Sequence, residues 1–483
     1  MDSEAIRATT KNVISVGATK GVSALVNLGG SVLLTRLLMP ADYGVFALSV
    51  FFFSFVVQFL DIGLDPALLA YQGDLRKAGG THFMSKVALA CVGFLMVMAA
   101  LPLDWASFHT KVMVLILMVA NVFDSFGGTA KVLVERELRI GVLNLVELGA
   151  TTLSWVAALM CAYWGMGLWS LGIQRVVLFL FQSLGFFLIG HQYFSFQYVS
   201  TIGKHFLIKF GLPIWIGSWF AWLLQTDRYL LSITNNFSSL GFYVKAFEFA
   251  TLPLLGLGLF QRPIVPLYSK LQHQNFEIGR LFNRVQLIKV RLVVPLLLGI
   301  ELGADRLVLW LYGSEWLPIV PLVRIFLLYT FLRFLFDDSP YPLTIGFNAP
   351  VLFTRVQIIQ GLAAVGVWLI TIPLWGTVGA AWGNVLVLLI ACVMVWFLIG
   401  RRVKLDISRL FLYEIGYVLF SAVIWIAIQD VFEIFGVHTP SYSFVFVPVL
   451  VLLLTILIEV KLSGLRRIIR YLNAVPIWSE SSN

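Results

Sequence analysis

GVFALSVFFFSFVVQFLDIGLDP, residues 44–66, decides the fold class. From Gly44 to Leu60 it carries no charge, and its polar side chains are Ser49, Ser54 and Gln58. An α-helix rises about 1.5 Å per residue, so such a run matches a hydrocarbon core about 30 Å thick. The polar groups are ordered. Ser54, Gln58, Asp61 and Asp65 follow at spacings of four, three and four, which puts them on one helix face. A charged stripe on an otherwise apolar helix predicts a span whose polar side meets water or other helices, not lipid.

Carried outward, the same reading predicts fourteen helices. They cover approximately 12–37, 44–66, 83–103, 112–132, 142–164, 168–190, 206–233, 241–267, 287–311, 317–346, 351–373, 376–399, 410–430 and 442–461. Met39-Pro40-Ala41-Asp42, Asn235-Asn236 and Phe347-Asn348-Ala349-Pro350 mark turns between them. The chain is 59% hydrophobic and only 12% charged, against roughly 25% for a soluble domain. A deficit that deep follows when lipid is the outer solvent. The expectation is an all-α polytopic membrane protein with about 14 transmembrane helices. Connections around 67–82, 191–204 and 268–286 are too short to fold alone, so a soluble enzyme domain is excluded. Cys91, Cys161 and Cys392 lie inside apolar runs, which argues against a disulfide framework or a metal site. No cleavable leader is evident near Arg7, Lys11 and Lys20, and the first span is expected to act as an uncleaved signal.

Charge gives the orientation. Of 34 Lys and Arg residues, 24 fall on one side of the alternating helices and three, Arg36, Lys111 and Arg306, on the other. The positive-inside rule then places both termini in the cytoplasm and requires an even number of spans.

Seven basic residues remain inside spans: Lys20, Arg175, Arg228, Lys245, Arg262, Arg324 and Arg333. Each costs roughly 2.5–3.5 kcal/mol or more if it faces lipid at mid-bilayer, so most must pair, snorkel or face a wet cavity. Further polar stripes support a cavity. They are Lys20, Ser23, Asn27 and Ser31; Asn121, Asp124 and Gly128; Asn144, Glu147, Thr151 and Ser154; and Ser218, Gln225, Arg228 and Ser232. Lone Ser, Thr or Asn residues commonly just join helices, but stripes that carry charge ask for more. Lys245 with Glu248, and Arg333 with Asp337, are spaced to pair on their own helices. The candidate substrate-cavity residues are Lys20, Asn27, Gln225, Arg228 and Lys245, with Asp61, Asp124 and Glu147 as candidates for ion coupling. No nucleotide-binding loop, serine-nucleophile elbow or metalloprotease motif is present, so no catalytic residue is expected. A faint repeat at an offset of 197 residues pairs Gly44 with Gly241, Pro66 with Pro263, and Leu33-Leu34-Thr35 with Leu230-Leu231-Ser232. Such duplication is common among transporters.

These residues carry a resemblance. Leu33-Leu34-Thr35-Arg36-Leu37-Leu38-Met39-Pro40-Ala41-Asp42-Tyr43-Gly44 and Asp61-Ile62-Gly63-Leu64 are similar to the opening of Wzx-type polysaccharide transporters. Further along come Asp227-Arg228-Tyr229-Leu230-Leu231, Leu240-Gly241-Phe242-Tyr243-Val244-Lys245-Ala246, Leu252-Pro253, Val265-Pro266-Leu267-Tyr268-Ser269-Lys270-Leu271-Gln272, Pro295 and Leu311-Tyr312-Gly313-Ser314-Glu315-Trp316. The collinear order resembles that family over most of residues 10–400.

The resemblance implies the multidrug/oligosaccharidyl-lipid/polysaccharide exporter fold, with two six-helix lobes around a central cavity plus two C-terminal helices. The lobes would be residues 1–200 and 201–400, with added helices over 401–461 and a cytoplasmic tail over 462–483. It implies a flippase that turns a lipid-diphosphate-linked oligosaccharide across a bacterial inner membrane. No cofactor is implied beyond a coupling ion, H+ or Na+. Other polysaccharide assembly proteins are implied as partners, and nucleic acid is not. The competing readings are a multidrug or small-cation exporter of the same fold, a membrane-embedded glycan polymerase or ligase, and a scaffold for glycan assembly.

Overall fold

A computed structural model of the chain describes residues 3–137, 139–206, 212–256, 282, 293–334 and 350–400. Among the described residues the protein is helical throughout, with no strand. Seven of these helices are long and apolar enough to cross a bilayer, which makes this a multi-pass membrane protein. The expected helices over 410–430 and 442–461 lie outside the described residues, as does Asp337. The chain divides into two compact units, Met1–Val244 and Lys245–Asn483.

The first unit contains α1 (Ser3–Leu37), α2 (Pro40–Leu60), α3 (Leu64–Ala70), α4 (Leu75–Ala100), α5 (Phe108–Arg136), α6 (Ile140–Tyr163) and α7 (Trp169–Gly190). After them come α8 (Ser200–His205), α9 (Leu212–Leu223), α10 (Thr226–Thr234) and the start of α11 (Phe237–Thr251). Helix α5 is the hub, packing against α7, α4 and α2, while α6 joins α7 to α1. Small residues set the α5–α7 spacing. A Cβ on Gly127 would meet the Ser183 backbone at 2.5 Å, and one on Gly190 would meet Ala130 at 2.6 Å. Lipid gives helices no hydrophobic reason to associate, so close backbone approach of this kind drives their packing.

Three boundary differences bear on the site. The helix expected over 44–66 stops at Leu60, because Gly63 turns the chain through a positive φ of 65° and the short α3 restarts at Leu64. The helix expected over 83–103 begins at Leu75, where the Asp74 carboxylate accepts from the amides of Arg76 and Lys77 at 3.1 and 3.3 Å. The helix expected over 206–233 is interrupted at Leu224–Gln225, between α9 and α10.

The 197-residue repeat has a structural counterpart. Pro40 and Phe237 are separated by that offset and each opens its helix, α2 or α11. A Cβ on Gly44 would run into the Phe237 carbonyl, and one on Gly241 into the Pro40 carbonyl. Equivalent glycines thus sit against equivalent backbones, the reciprocity a two-fold relation between repeats produces.

The second unit holds α12 (Val293–Leu302), α13 (Ala304–Leu311), α14 (Val320–Leu332) and α15 (Pro350–Gly400). Helix α15 bends at Gly376, whose φ is 58°, close to the boundary expected between 373 and 376. Val294, Leu388 and Cys392 form part of its core.

Candidate functional site

Two of the polar stripes, those of α2 and α5, meet at a cavity of about 240 Å³. Its polar lining is Asp61 and Asp65 from the α2–α3 bend, Lys86 from α4, and Asn121, Asp124 and Ser125 from α5. Bending the chain at Gly63 does not disperse the α2 stripe, since Asp61 and Asp65 line the same space. Gly128 completes the α5 stripe by leaving room. A Cβ there would lie 2.7 Å from the Lys86 ammonium.

Inside the cavity, Lys86 Nζ lies 2.7 and 2.9 Å from the two Asp65 oxygens. His82 Nε2 lies 3.0 Å from Asp65 Oδ1, and Nδ1 lies 2.8 Å from the Thr129 hydroxyl. An ionised carboxylate only accepts, so Nε2 carries the proton, and in the neutral ring Nδ1 accepts from Thr129. Asp65 stands on α3, outside the spans. Burial raises its pKa, but the hydrogen bond from His82 and the Lys86 charge outweigh that and hold the carboxyl well below the usual range. Asp61 accepts from the Gly63 amide at 3.1 Å. The Asp124 carboxylate has no hydrogen bond or ion pair among the described residues.

A second cluster joins three helices. Glu147 on α6 meets Lys20 on α1 at 2.7 Å and Lys131 on α5 at 3.2 Å. One carboxylate therefore faces two ammonium groups, and both lysine side chains remain over 40% exposed. About two helix turns further along, the Asn27 amide accepts from the Trp155 indole at 2.9 Å and donates to the Ser23 carbonyl.

Gln225 lies in the α9–α10 break, and Arg228 in the first turn of α10. The Arg228 guanidinium reaches Gln225 Oε1 at 3.4 Å and makes no ion pair among the described residues. Asp227 turns away and is buried, where it accepts from the Tyr243 hydroxyl. In the second unit Lys245 is only 1% exposed, 2.9 Å from Glu248 and over the Tyr312 ring. Arg324 pairs with Asp305 at 3.0 Å and Glu301 at 3.5 Å.

Residues 33–321 match the polysaccharide biosynthesis protein family over more than half of the chain. The chain belongs to that family. A relative, the succinoglycan biosynthesis transport protein ExoT of Rhizobium meliloti (strain 1021), is 23% identical over 59% of this chain and 58% of its own length. The teichuronic acid biosynthesis protein TuaB of Bacillus subtilis (strain 168) is 19% identical over 73% of this chain and 74% of its own length. Among solved structures, the lipid II flippase MurJ in an inward closed conformation superposes with a TM-score of 0.69 at 14% identity, covering 94% of this chain and 99% of that one. The family member described here therefore has the fold of that flippase.

Within this member of the family, the sequence reading missed four site residues: His82, Lys86, Lys131 and Thr129. The expected helix over 83–103 leaves His82 outside it, and no polar stripe includes Lys86, Lys131 or Thr129. The signal was there for two of them, because Asp74 caps a helix from Leu75 and puts His82 and Lys86 four residues apart on one face.

Proposed function

We propose that this protein is a flippase for a lipid-diphosphate-linked oligosaccharide, a polysaccharide repeat unit, and not an enzyme. It works in a bacterial inner membrane by alternating access. The observation that carries this reading is family membership over residues 33–321, joined to the fold of a lipid II flippase. The chemistry agrees. A diphosphate does not cross hydrocarbon unaided, and Lys20, Lys131 and Arg228 can replace its water with charge-assisted hydrogen bonds. Asn27 and Gln225 add neutral donors and acceptors, and Lys245 is a further candidate cation of the substrate path. The full architecture is fourteen spans, two six-helix lobes around a central cavity and both termini cytoplasmic. The 24-to-3 division of basic residues supports that arrangement.

The cavity at Asp61, Asp65 and Asp124 takes a different part. At about 240 Å³ it falls below the roughly 300–1,000 Å³ of pockets that hold drug-sized ligands, so it is too small for a glycan diphosphate. Three aspartates against one lysine suit a coupling cation, H+ or Na+, with Glu147 answering from the second cluster. This acidic lining is also what favours the alternative, a small-cation or multidrug exporter.

Ligand-dependent melting of the purified protein separates the two readings. The flippase reading expects stabilisation by a polyprenyl-diphosphate oligosaccharide, lost in Arg228→Ala, and none by lipophilic cations. Stabilisation by the cations alone would shift the assignment to the exporter.

A further inference from the structure

The charge clusters leave unexplained the most aromatic seam of the first unit. Helix α9 carries Trp215, Trp219 and Trp222 at spacings of four and three, and α2 carries Phe51, Phe55 and Phe59 at spacings of four. The rings interleave. From one end to the other, centroid distances are 6.3 Å for Phe59–Trp215, 6.2 Å for Phe59–Trp219, 5.6 Å for Phe55–Trp219, 5.1 Å for Phe55–Trp222 and 4.9 Å for Phe51–Trp222. Tyr229 of α10 then stacks on Phe51 at 5.5 Å. Phe51 to Phe59 covers about 12 Å of helix.

Two properties set this ladder apart from ordinary helix packing. Three of its rings stay open, with Phe55 40%, Phe59 47% and Tyr229 38% exposed, while Phe51 is buried and anchors the far end. Polar groups also run through it. Gln58 donates to Ser218 at 2.5 Å, Trp222 to Ser54 at 3.1 Å and Trp215 to the Phe59 carbonyl at 3.1 Å. The Trp219 indole N–H is buried with no acceptor among the described residues. Helix association in a membrane favours small residues that let backbones approach, and an indole N–H without an acceptor is costly there. A ligand that fits must offer apolar C–H faces to electron-rich rings and hydroxyl oxygens to an N–H. A sugar ring does both, whereas a prenyl or acyl chain offers no acceptor.

We infer that the α2–α9 aromatic ladder, from Phe59 and Trp215 to Phe51 and Tyr229, is a stacking track for the sugar rings of the transported glycan. The inference rests on the flippase reading and names the surface that meets the glycan rather than the diphosphate. Asp61 lies two residues beyond Phe59 and Arg228 one residue before Tyr229, so the track runs from the acidic cavity to the arginine.

The test measures binding of two ligands to the purified full-length protein: a polyprenyl diphosphate bearing a neutral oligosaccharide, and the same polyprenyl diphosphate without sugar. The ratio of the two affinities is read, so a misfolded fraction cancels. The track predicts that Trp219→Leu and Phe55→Leu each lower the preference for the glycan form about five- to tenfold, while Trp219→Phe keeps most of it. Equal losses for both ligands would show that the ladder only packs helices, and would overturn the inference. Wild-type protein that binds neither ligand would overturn the flippase reading and the track together. Wild-type binding with an unchanged ratio in both leucine variants would overturn the track alone.

Discussion

Lys86→Met removes one ammonium and leaves the rest of the cavity in place. Asp65 is half-exposed, so the pair is worth about 1 kcal/mol or less. Its pH signature is more telling than its size. The folded pKa of Asp65 is depressed, so the stabilisation is fully present above the unfolded carboxyl value, about 4, and is lost as pH falls through the lower folded value. Melting curves from neutral pH down to about pH 3 should show a smaller acid-side loss in Lys86→Met than in the wild type. An unchanged loss would mean that Lys86 does not hold the charge on Asp65. Glu147→Gln asks about the other cluster. It leaves Lys20 and Lys131 without their shared counter-charge. Glycolipid binding should persist while flipping slows about tenfold or more, the expected size when a group needed in only one step is lost. Flipping at the wild-type rate would remove Glu147 from the cycle. At this scale much was readable. Glu147, Asp124 and Lys20 stood on polar stripes. That Lys20 and Glu147 would meet, 127 positions apart, was not readable, because one helix face does not say which neighbour it touches.

Gly44 and Gly241 set how closely α2 and α11 approach. Alanine at either position places a carbon inside the partner's backbone, where no side chain can move aside. Each substitution should cost about 1–3 kcal/mol, and the double variant should cost less than the sum, because both relieve themselves by parting the same two helices. Melting of the three variants in detergent checks this, and strict additivity would contradict a shared contact. The repeat that pairs these glycines was visible in sequence, but the contact itself needed the fold. Element ends divide in the same way. Gly63 and the Asp74 cap are signals that sequence carries. The break at Leu224–Gln225 has neither Gly nor Pro beside it, so propensity alone runs α9 straight into α10.

Topology and transport belong to the whole molecule. Placing both termini inside rests on basic residues, and paired cysteines test it. After Cys91, Cys161 and Cys392 are replaced, Gly73→Cys should be protected from a membrane-impermeant maleimide on intact cells, and Leu103→Cys should react. The opposite pattern would invert the protein. Class and family-like motifs were legible because lipid imposes long apolar helices and little else competes with that signal. What the charges do was less legible, since pairing in space decides it. The most direct measurement is flipping of a fluorescent polyprenyl-diphosphate oligosaccharide by the purified protein in liposomes, read by quencher access, with Arg228→Ala alongside. The flippase account predicts transfer across the bilayer that Arg228→Ala slows about tenfold. No transfer by well-folded protein, across several glycans and with proton and sodium gradients supplied, would contradict it.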